Sequence, residues 1–255
     1  VPYIEDVEEF ELENSWDVEI TDDNKIWRYV PFEKFLSLIN SGEIHFRQAE
    51  LLSDDYEGEI PPKEVIDDPR ISELYETNAL ITHISSWYQG DSESQEMWDE
   101  YDDSDFLIKS NYQYLKEALS PDEEYGVQFV EVEYINWTEE ELDLISYRDG
   151  SMSGNILDPF KYKREQYTFE SEFRAIATSI GALSDAEENR GEVNFAAMVE
   201  EYSEPNIFVE TDLGTLIEEI RVSPGLEGWV VEEVREWIDR ELGIGDRVRH
   251  STLAD

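Results

Sequence analysis

Apolar positions repeat along this chain with two periods. Alternating patterns predict strands at Ile26–Val30, Glu43–Arg47, Phe106–Lys109, Gly126–Asn136, Gln166–Thr178, Ile207–Glu210, Glu219–Ser223 and Arg247–Ser251. The apolar-rich run Ala79–Trp87 reads as a buried strand. Helical spacing joins Phe32, Phe35, Leu36 and Ile39 behind Pro31, with Gly42 able to end the helix in the left-handed region. Further helices are expected after Pro69, around Met97, Trp98 and Tyr101 behind a Ser92/Gln95 capping box, over Tyr112–Leu119, and after a Thr138/Glu141 capping box. The helix over Leu226–Leu242 carries Leu226, Trp229, Val230, Trp237 and Ile238 on one stripe, expected to face the core. Leu51–Pro62, residues 148–160 and Gly181–Gly191 read as loops. Strands and helices mix with neither a repeat nor a Gly/Ser linker between them. The expectation is a single α+β domain over residues 26–255, a largely antiparallel sheet with flanking helices, preceded by an acidic arm over residues 1–25.

Charge narrows the picture. The chain has 255 residues, with 64 Asp+Glu against 19 Lys+Arg, a formal net charge of −45 and no Cys. A folded protein of this mass exposes roughly 11,600 Å², so one net negative charge falls on about every 260 Å². Such self-repulsion opposes folding in dilute salt and is screened in molar salt, where the Debye length is about 3 Å. The reading is a cytoplasmic protein of a salt-accumulating, haloarchaeal-type microbe. The acidic start, Val1 to Asp23, has neither the basic end nor the apolar stretch of a secretion signal, and no run is long and apolar enough to span a bilayer. Zero Cys excludes disulfides and thiolate zinc sites. Duplex DNA is an unsuitable partner for this charge. His45, His83 and His250 lack metal-ligand spacing, and no metal site is expected. One residue in four is acidic, so about 16 acid-any-acid pairs arise by chance and such pairs carry little information.

The informative windows are those where acidity lifts. Ile26–Gln48 holds Arg28, Lys34 and Arg47 with His45 beside them. Thr77–Gly90 has no formal charge and contains Ser85 and Ser86. Pro159–Ala175 holds Lys161, Lys163, Arg164 and Arg174 against three Glu. Two readings stay open: core cations paired with neighbouring acids, or a cleft for a phosphate-bearing ligand, for which Arg forks are well suited. On the second, Arg28, Arg47, Ser85, Lys161, Lys163, Arg164 and Arg174 bind the ligand. Strand alternation puts Thr168, Glu170, Glu172 and Arg174 on one face, where Glu172 either pairs with Arg174 or works on a ribose. No Gly-any-Ser-any-Gly elbow and no phosphate-binding Gly fingerprint is present.

Several motifs occur in a set order: Ile26-Trp27-Arg28-Tyr29, Ile44-His45-Phe46-Arg47, Leu52-Ser53-Asp54-Asp55-Tyr56-Glu57-Gly58, Met97-Trp98 with Tyr101, Val132-Glu133-Tyr134, Pro159-Phe160-Lys161-Tyr162-Lys163-Arg164, and Phe169-Glu170-Ser171-Glu172-Phe173-Arg174-Ala175. Over about residues 26–223 this order resembles the microbial family called domain of unknown function 2971, which implies no established activity. A more distant resemblance is to arginine-class ADP-ribosyltransferases, which use an Arg on an early strand, a Ser-rich strand and a Glu-any-Glu motif. It implies NAD as the ligand, Arg28 on its phosphates, Ser85 at the nicotinamide ribose, and Glu170 and Glu172 as the catalytic pair. The alternatives are a non-catalytic nucleotide- or partner-recognition module, of a defence or mobile-element system, and a structural protein whose N-terminal arm docks on another chain.

Overall fold

Pro31 and Gly42 bracket the first helix as the spacing predicts. Pro31 is extended at the N-cap, and Gly42 takes φ 71° while its N–H returns to the Leu38 carbonyl. The same economy runs through the chain, and a computed structural model describes residues 10–12, 21, 23–54, 56–61, 69–119, 124–142, 144–148, 151–188 and 194–254. In order, the elements are β1 (Phe10–Leu12), β2 (Lys25–Val30), α1 (Phe32–Ser41), β3 (Glu43–Gln48), α2 (Pro69–Ile81), β4 (Thr82–Gln89), α3 (Gln95–Glu100), β5 (Phe106–Asn111), α4 (Tyr112–Ala118), β6 (Tyr125–Glu131) and β7 (Glu133–Ile135). Then come β8 (Ile145–Arg148), β9 (Ser151–Gly154), β10 (Tyr162–Arg164), β11 (Glu172–Ser179), α5 (Ile180–Glu188), α6 (Phe195–Tyr202), β12 (Asn206–Glu210), α7 (Leu213–Leu216), β13 (Glu219–Val222), α8 (Gly228–Leu242) and β14 (Val248–His250).

The result is the expected α+β domain. Nine strands form one sheet, in the order β12-β3-β4-β2-β5-β13-β14, with β11 on β4 and β6 on β11. Every pairing within it is antiparallel except β13 with β14. Phe46, Trp87, Ile108, Phe173 and Ala175 on one face join Phe35 and Leu38 of α1 and Val231, Val234 and Ile238 of α8 in the main core. No helix of the described residues is long and apolar enough to cross a membrane.

Strand β4 has more neighbours than a strand has edges, and this shapes the site. β11 takes one edge from Thr82 to Tyr88. The other edge is shared: β3 pairs at His83 and Ile84, and β2 pairs at Tyr88 and Gln89. Between them the sheet forks. The Gln89 N–H bonds the Ser171 carbonyl on the β11 side, and the Gly90 N–H bonds the Lys25 carbonyl on the β2 side. Backbone groups of an antiparallel strand alternate between its edges. The N–H and C=O of Ser86 therefore face the fork, where no described strand meets them.

Several expectations need correction. The strand predicted over Gln166–Thr178 starts only at Glu172. Residues 165–170 wind into a 3₁₀ turn, and Ser171 takes φ 37°, the left-handed region. The strand over Gly126–Asn136 breaks at Val132: its N–H still bonds the Glu172 carbonyl in the β6–β11 register, but the Glu172 N–H turns to the Tyr134 hydroxyl at 2.7 Å. The expected loop Gly181–Gly191 is largely helix α5, and residues 148–160 contain β9. Ser94 caps α3 in place of Ser92, accepting from the Met97 N–H at 3.3 Å. Thr138 lies in a turn, not at a helix start. The buried stripe of α8 is Val231, Val234 and Ile238, and Trp229 stands 63% exposed. Of the acidic arm, Phe10–Leu12 pairs with β9 in parallel. Residues 1–9, 13–20 and 22 lie outside the described residues, as does Asp55.

Candidate functional site

The three windows of lifted acidity meet where the sheet forks. A cavity of about 680 Å³ is lined there by Arg28, Lys34, His45 and Arg47 from the first window, Ser86, Trp87 and Tyr88 from the second, and Lys163, Glu170 and Glu172 from the third. Four cations (Arg28, Lys34, Arg47, Lys163) and five acids (Glu33, Glu43, Glu57, Glu170, Glu172) line it. In the chain as a whole the ratio is 19 to 64.

The cavity has two poles. At the first, Arg28 rises from the core face of β2, opposite Ile108, and crosses the fork. Its Nη2 donates to the His45 carbonyl at 2.8 Å, and its guanidinium lies 5.5 Å from the Trp87 ring centre. Burial lowers Arg28 to about 10. Among the described residues no carboxylate lies within ion-pair distance of Arg28, Lys34 or Arg47; Arg47 Nε donates to the Leu51 carbonyl. These three cations surround His45. Burial and their charge lower its pKa, against the bond to Asn206 at 2.7 Å. The imidazole is thus neutral at pH 7, and the positive charge of this pole belongs to the three cations.

The second pole is a buried ion cluster. Lys163 Nζ reaches Glu57 at 2.9 Å, Glu170 at 2.5 Å and Glu172 at 3.0 Å. Arg174, wholly buried, donates through Nε and Nη2 to the two oxygens of Glu172 at 2.7 and 3.0 Å, meets Glu57 at 3.1 Å, and donates through Nη1 to the Phe160 carbonyl at 2.8 Å. Three carboxylates share two cations. Burial would raise Glu172, but Arg174 and Lys163 hold its carboxyl far below the usual range. Glu170 lacks the Arg174 fork; burial pushes it up to about 7, with Glu172 and Glu57 adding to the effect against the pull of Lys163. Burial disfavours the Lys163 ammonium, yet Glu172 and Glu57 hold its pKa above the ordinary value.

Local sequence explains how these groups arrive. The Glu57 N–H bonds the Asp54 carbonyl at 3.0 Å and the Tyr56 N–H bonds the Asp54 carboxylate at 3.1 Å, a turn that aims Glu57 inward. Gly58 follows at φ 80°, with the Phe160 ring against it. The left-handed Ser171 puts Glu170 at the end of a turn and Glu172 at the start of β11, so both reach Lys163.

The expected site residues therefore divide. Arg28, Arg47, Lys163, Glu170 and Glu172 do line one cavity. Arg174 is spent on Glu172 and Glu57 inside the fold. Lys161 and Arg164 do not join it: Lys161, at the end of the 3₁₀ turn before β10, pairs with Glu133 at 2.5 Å, and Arg164, which alternation along β10 turns away from Lys163, pairs with Asp54 at 2.7 Å. Ser85 is buried on the core face beside Ala175; Ser86, the ladder partner of Arg174, lines the cavity and bonds Glu172. Tyr101, which the sequence offers in a motif and at helical spacing as a core residue, is instead 39% exposed and lines the cavity from the end of α3; sequence reasoning missed Asn206 and Phe208, which line it from the edge strand β12. Nothing in the local sequence marks Asn206 or Phe208, since the fold alone brings them there. Among the described residues no group of three or more His, Asp or Glu is arranged to hold a metal ion. No protein-family model, no curated protein and no solved structure matches the chain.

Proposed function

We propose that this cavity binds a phosphate-bearing nucleotide and carries out ADP-ribosyl transfer from NAD, in a protein that works in the molar salt of a cytoplasm. The observation that carries the reading is the pairing of poles: cations with no carboxylate partner among the described residues, and a cluster with a titratable carboxylate, line one cavity. Arg28, Lys34 and Arg47 would take the diphosphate. The Ser86 backbone N–H, which the fork leaves without a strand partner among the described residues, supplies a further donor. The poles suit the spacing. Arg47 is the ladder partner of Ile84, and Glu172 that of Tyr88, four residues along β4; at the rise of a strand this is about 13 Å.

In the reaction the bond from the nicotinamide nitrogen to the ribose carbon breaks, and its electron pair leaves with nicotinamide. Positive charge develops on the sugar, and the ionised Glu172 within its fixed cluster stabilises it. The nucleophile of the acceptor bonds to the same carbon and gives its proton to Glu170, whose pKa near 7 suits a general base. The motifs that resemble domain of unknown function 2971 support the same place, because Glu57, Tyr101, Lys163, Glu170 and Glu172 all come from them.

A second reading is favoured by Glu172 itself. Arg174 and Lys163 already occupy its oxygens, as in a framework group. On that reading the cavity recognises a nucleotide without turning it over. Incubation with NAD in molar KCl, followed by mass spectrometry, separates the two. Transfer predicts free nicotinamide and an ADP-ribosylated product, with Arg28→Ala raising KM and Glu170→Gln lowering kcat. Binding of NAD with no nicotinamide released would leave the recognition module. Neither binding nor release would remove both.

A further inference from the structure

The cavity carries a half-exposed aromatic ring beside each pole. Phe208, on the edge strand β12, is 49% exposed and its ring centre lies 5.5 Å from that of His45, which the three cations surround. The Asn206 carboxamide, on the same face of β12, bonds the His45 ring at 2.7 Å. Tyr101, at the end of α3, is 39% exposed and stacks on Tyr29 with ring planes 20° apart. Its phenol feels the charges of Glu170, Lys163, Glu172 and Glu57, which places it at the carboxylate pole. Leaving a Phe half in water forgoes apolar burial; Phe32 and Trp229 are at least as exposed, but of the three only Phe208 borders the cavity.

Resting on the reading of the cavity as a nucleotide site, we infer that it takes a dinucleotide in one direction, with each ring a separate base platform. Phe208 stacks the base of the nucleotide whose phosphates sit on Arg28, Lys34 and Arg47, the adenine of NAD. Tyr101 stacks the ring attached to the sugar at Glu170 and Glu172, the nicotinamide. Aromatic stacking tolerates any base, since each offers a π face. The polarity comes from the poles: the diphosphate adjoins the cationic end, and the scissile sugar adjoins the carboxylates. The two ends of the ligand thus depend on different residues.

Titration calorimetry of the full chain in molar KCl with NAD, ADP and nicotinamide mononucleotide tests this. Phe208→Ala should weaken NAD and ADP by about tenfold, the size of a lost stacking contact, and leave nicotinamide mononucleotide unchanged. Phe208→Trp should keep the wild-type affinities. Tyr101→Leu should weaken NAD and nicotinamide mononucleotide and spare ADP. If NAD binds and both variants weaken ADP and nicotinamide mononucleotide alike, or neither does, the assigned polarity is wrong while the nucleotide site stands. If none of the three ligands binds the wild-type chain, the nucleotide site itself fails and the inference with it.

Discussion

Glu170 and Glu172 are two residues apart and share Lys163, yet they sit on opposite sides of the ordinary carboxylate range. The difference is Arg174, whose fork closes on Glu172 and passes Glu170 by. A carboxylate raised by burial binds its proton more tightly in the folded state than in the unfolded one. Between the ordinary 4.5 and about 7 the folded chain holds a proton that the unfolded chain has lost. Glu170 therefore removes stability as pH rises through that window, and Glu172, held low, adds stability that is lost only in acid. Replacing Glu170 by Gln should flatten the dependence of unfolding free energy on pH between about 5 and 7 and leave the acid limb in place. Chemical denaturation across that range measures it; an unchanged slope would show that Glu170 titrates normally. Which of two adjacent Ser lines the cavity is also decided at this scale. Ser86 shares a face with Ile84 and Tyr88, and Ser85 with Trp87, a choice readable from the sequence only once the partner strand is known.

At the scale of elements, turns do more than strands to build the site. Gly58 is required by its positive φ, and a Cβ there would come within 2.4 Å of Phe160 Cε1. That ring belongs to the residue whose carbonyl anchors Arg174. Gly58→Ala should cost about 1–3 kcal/mol, seen as a fall of several degrees in Tm. It should also weaken ligand binding, because Glu57 and Phe160 both border the buried cluster. An unaltered Tm would mean the turn yields without strain. The sequence shows most elements here because their apolar periods are clean: α1, β3, α4, β12 and β13 all lie within a few residues of the expected places. It misleads at Gln166–Thr178, where alternation continues through a 3₁₀ turn, and at Trp229, where a helical stripe is rotated away from the core. In both, tertiary partners outrank local pattern: Val132 and Gln89 bond around Ser171, and Val231, Val234 and Ile238 take the core side of α8.

For the whole molecule, the net charge of −45 makes repulsion among carboxylates the contribution that salt changes most. Long-range repulsion among carboxylates vanishes when the Debye length falls to about 3 Å in molar salt, while buried pairs such as Lys163 with Glu172 are screened much less. Tm should rise steeply from dilute buffer to molar KCl. The affinity for an anionic nucleotide should hold or rise over the same range, the reverse of a basic-patch protein, because salt relieves the repulsion of the whole chain and leaves the contacts with Arg28 largely intact. Thermal melts and calorimetry at several KCl concentrations measure both, and a Tm indifferent to salt would remove the salt-adapted reading. The charge pattern was also the most legible guide to the site. All three windows that escape acidity reach the cavity, although four of their seven cations (Lys161, Lys163, Arg164 and Arg174) turn out to neutralise neighbours within the fold.

The fork leaves a mark that isotope exchange can read. Ser85 and Trp87 point their amide protons toward β11 and are held by its ladder, whereas the amide of Ser86 opens on the cavity. In heavy water the Ser86 proton should be replaced well before those of its two neighbours. A ligand lodged between β2 and β3 should slow that replacement, so one amide in mid-strand would report on occupancy of the cavity without any label on the ligand.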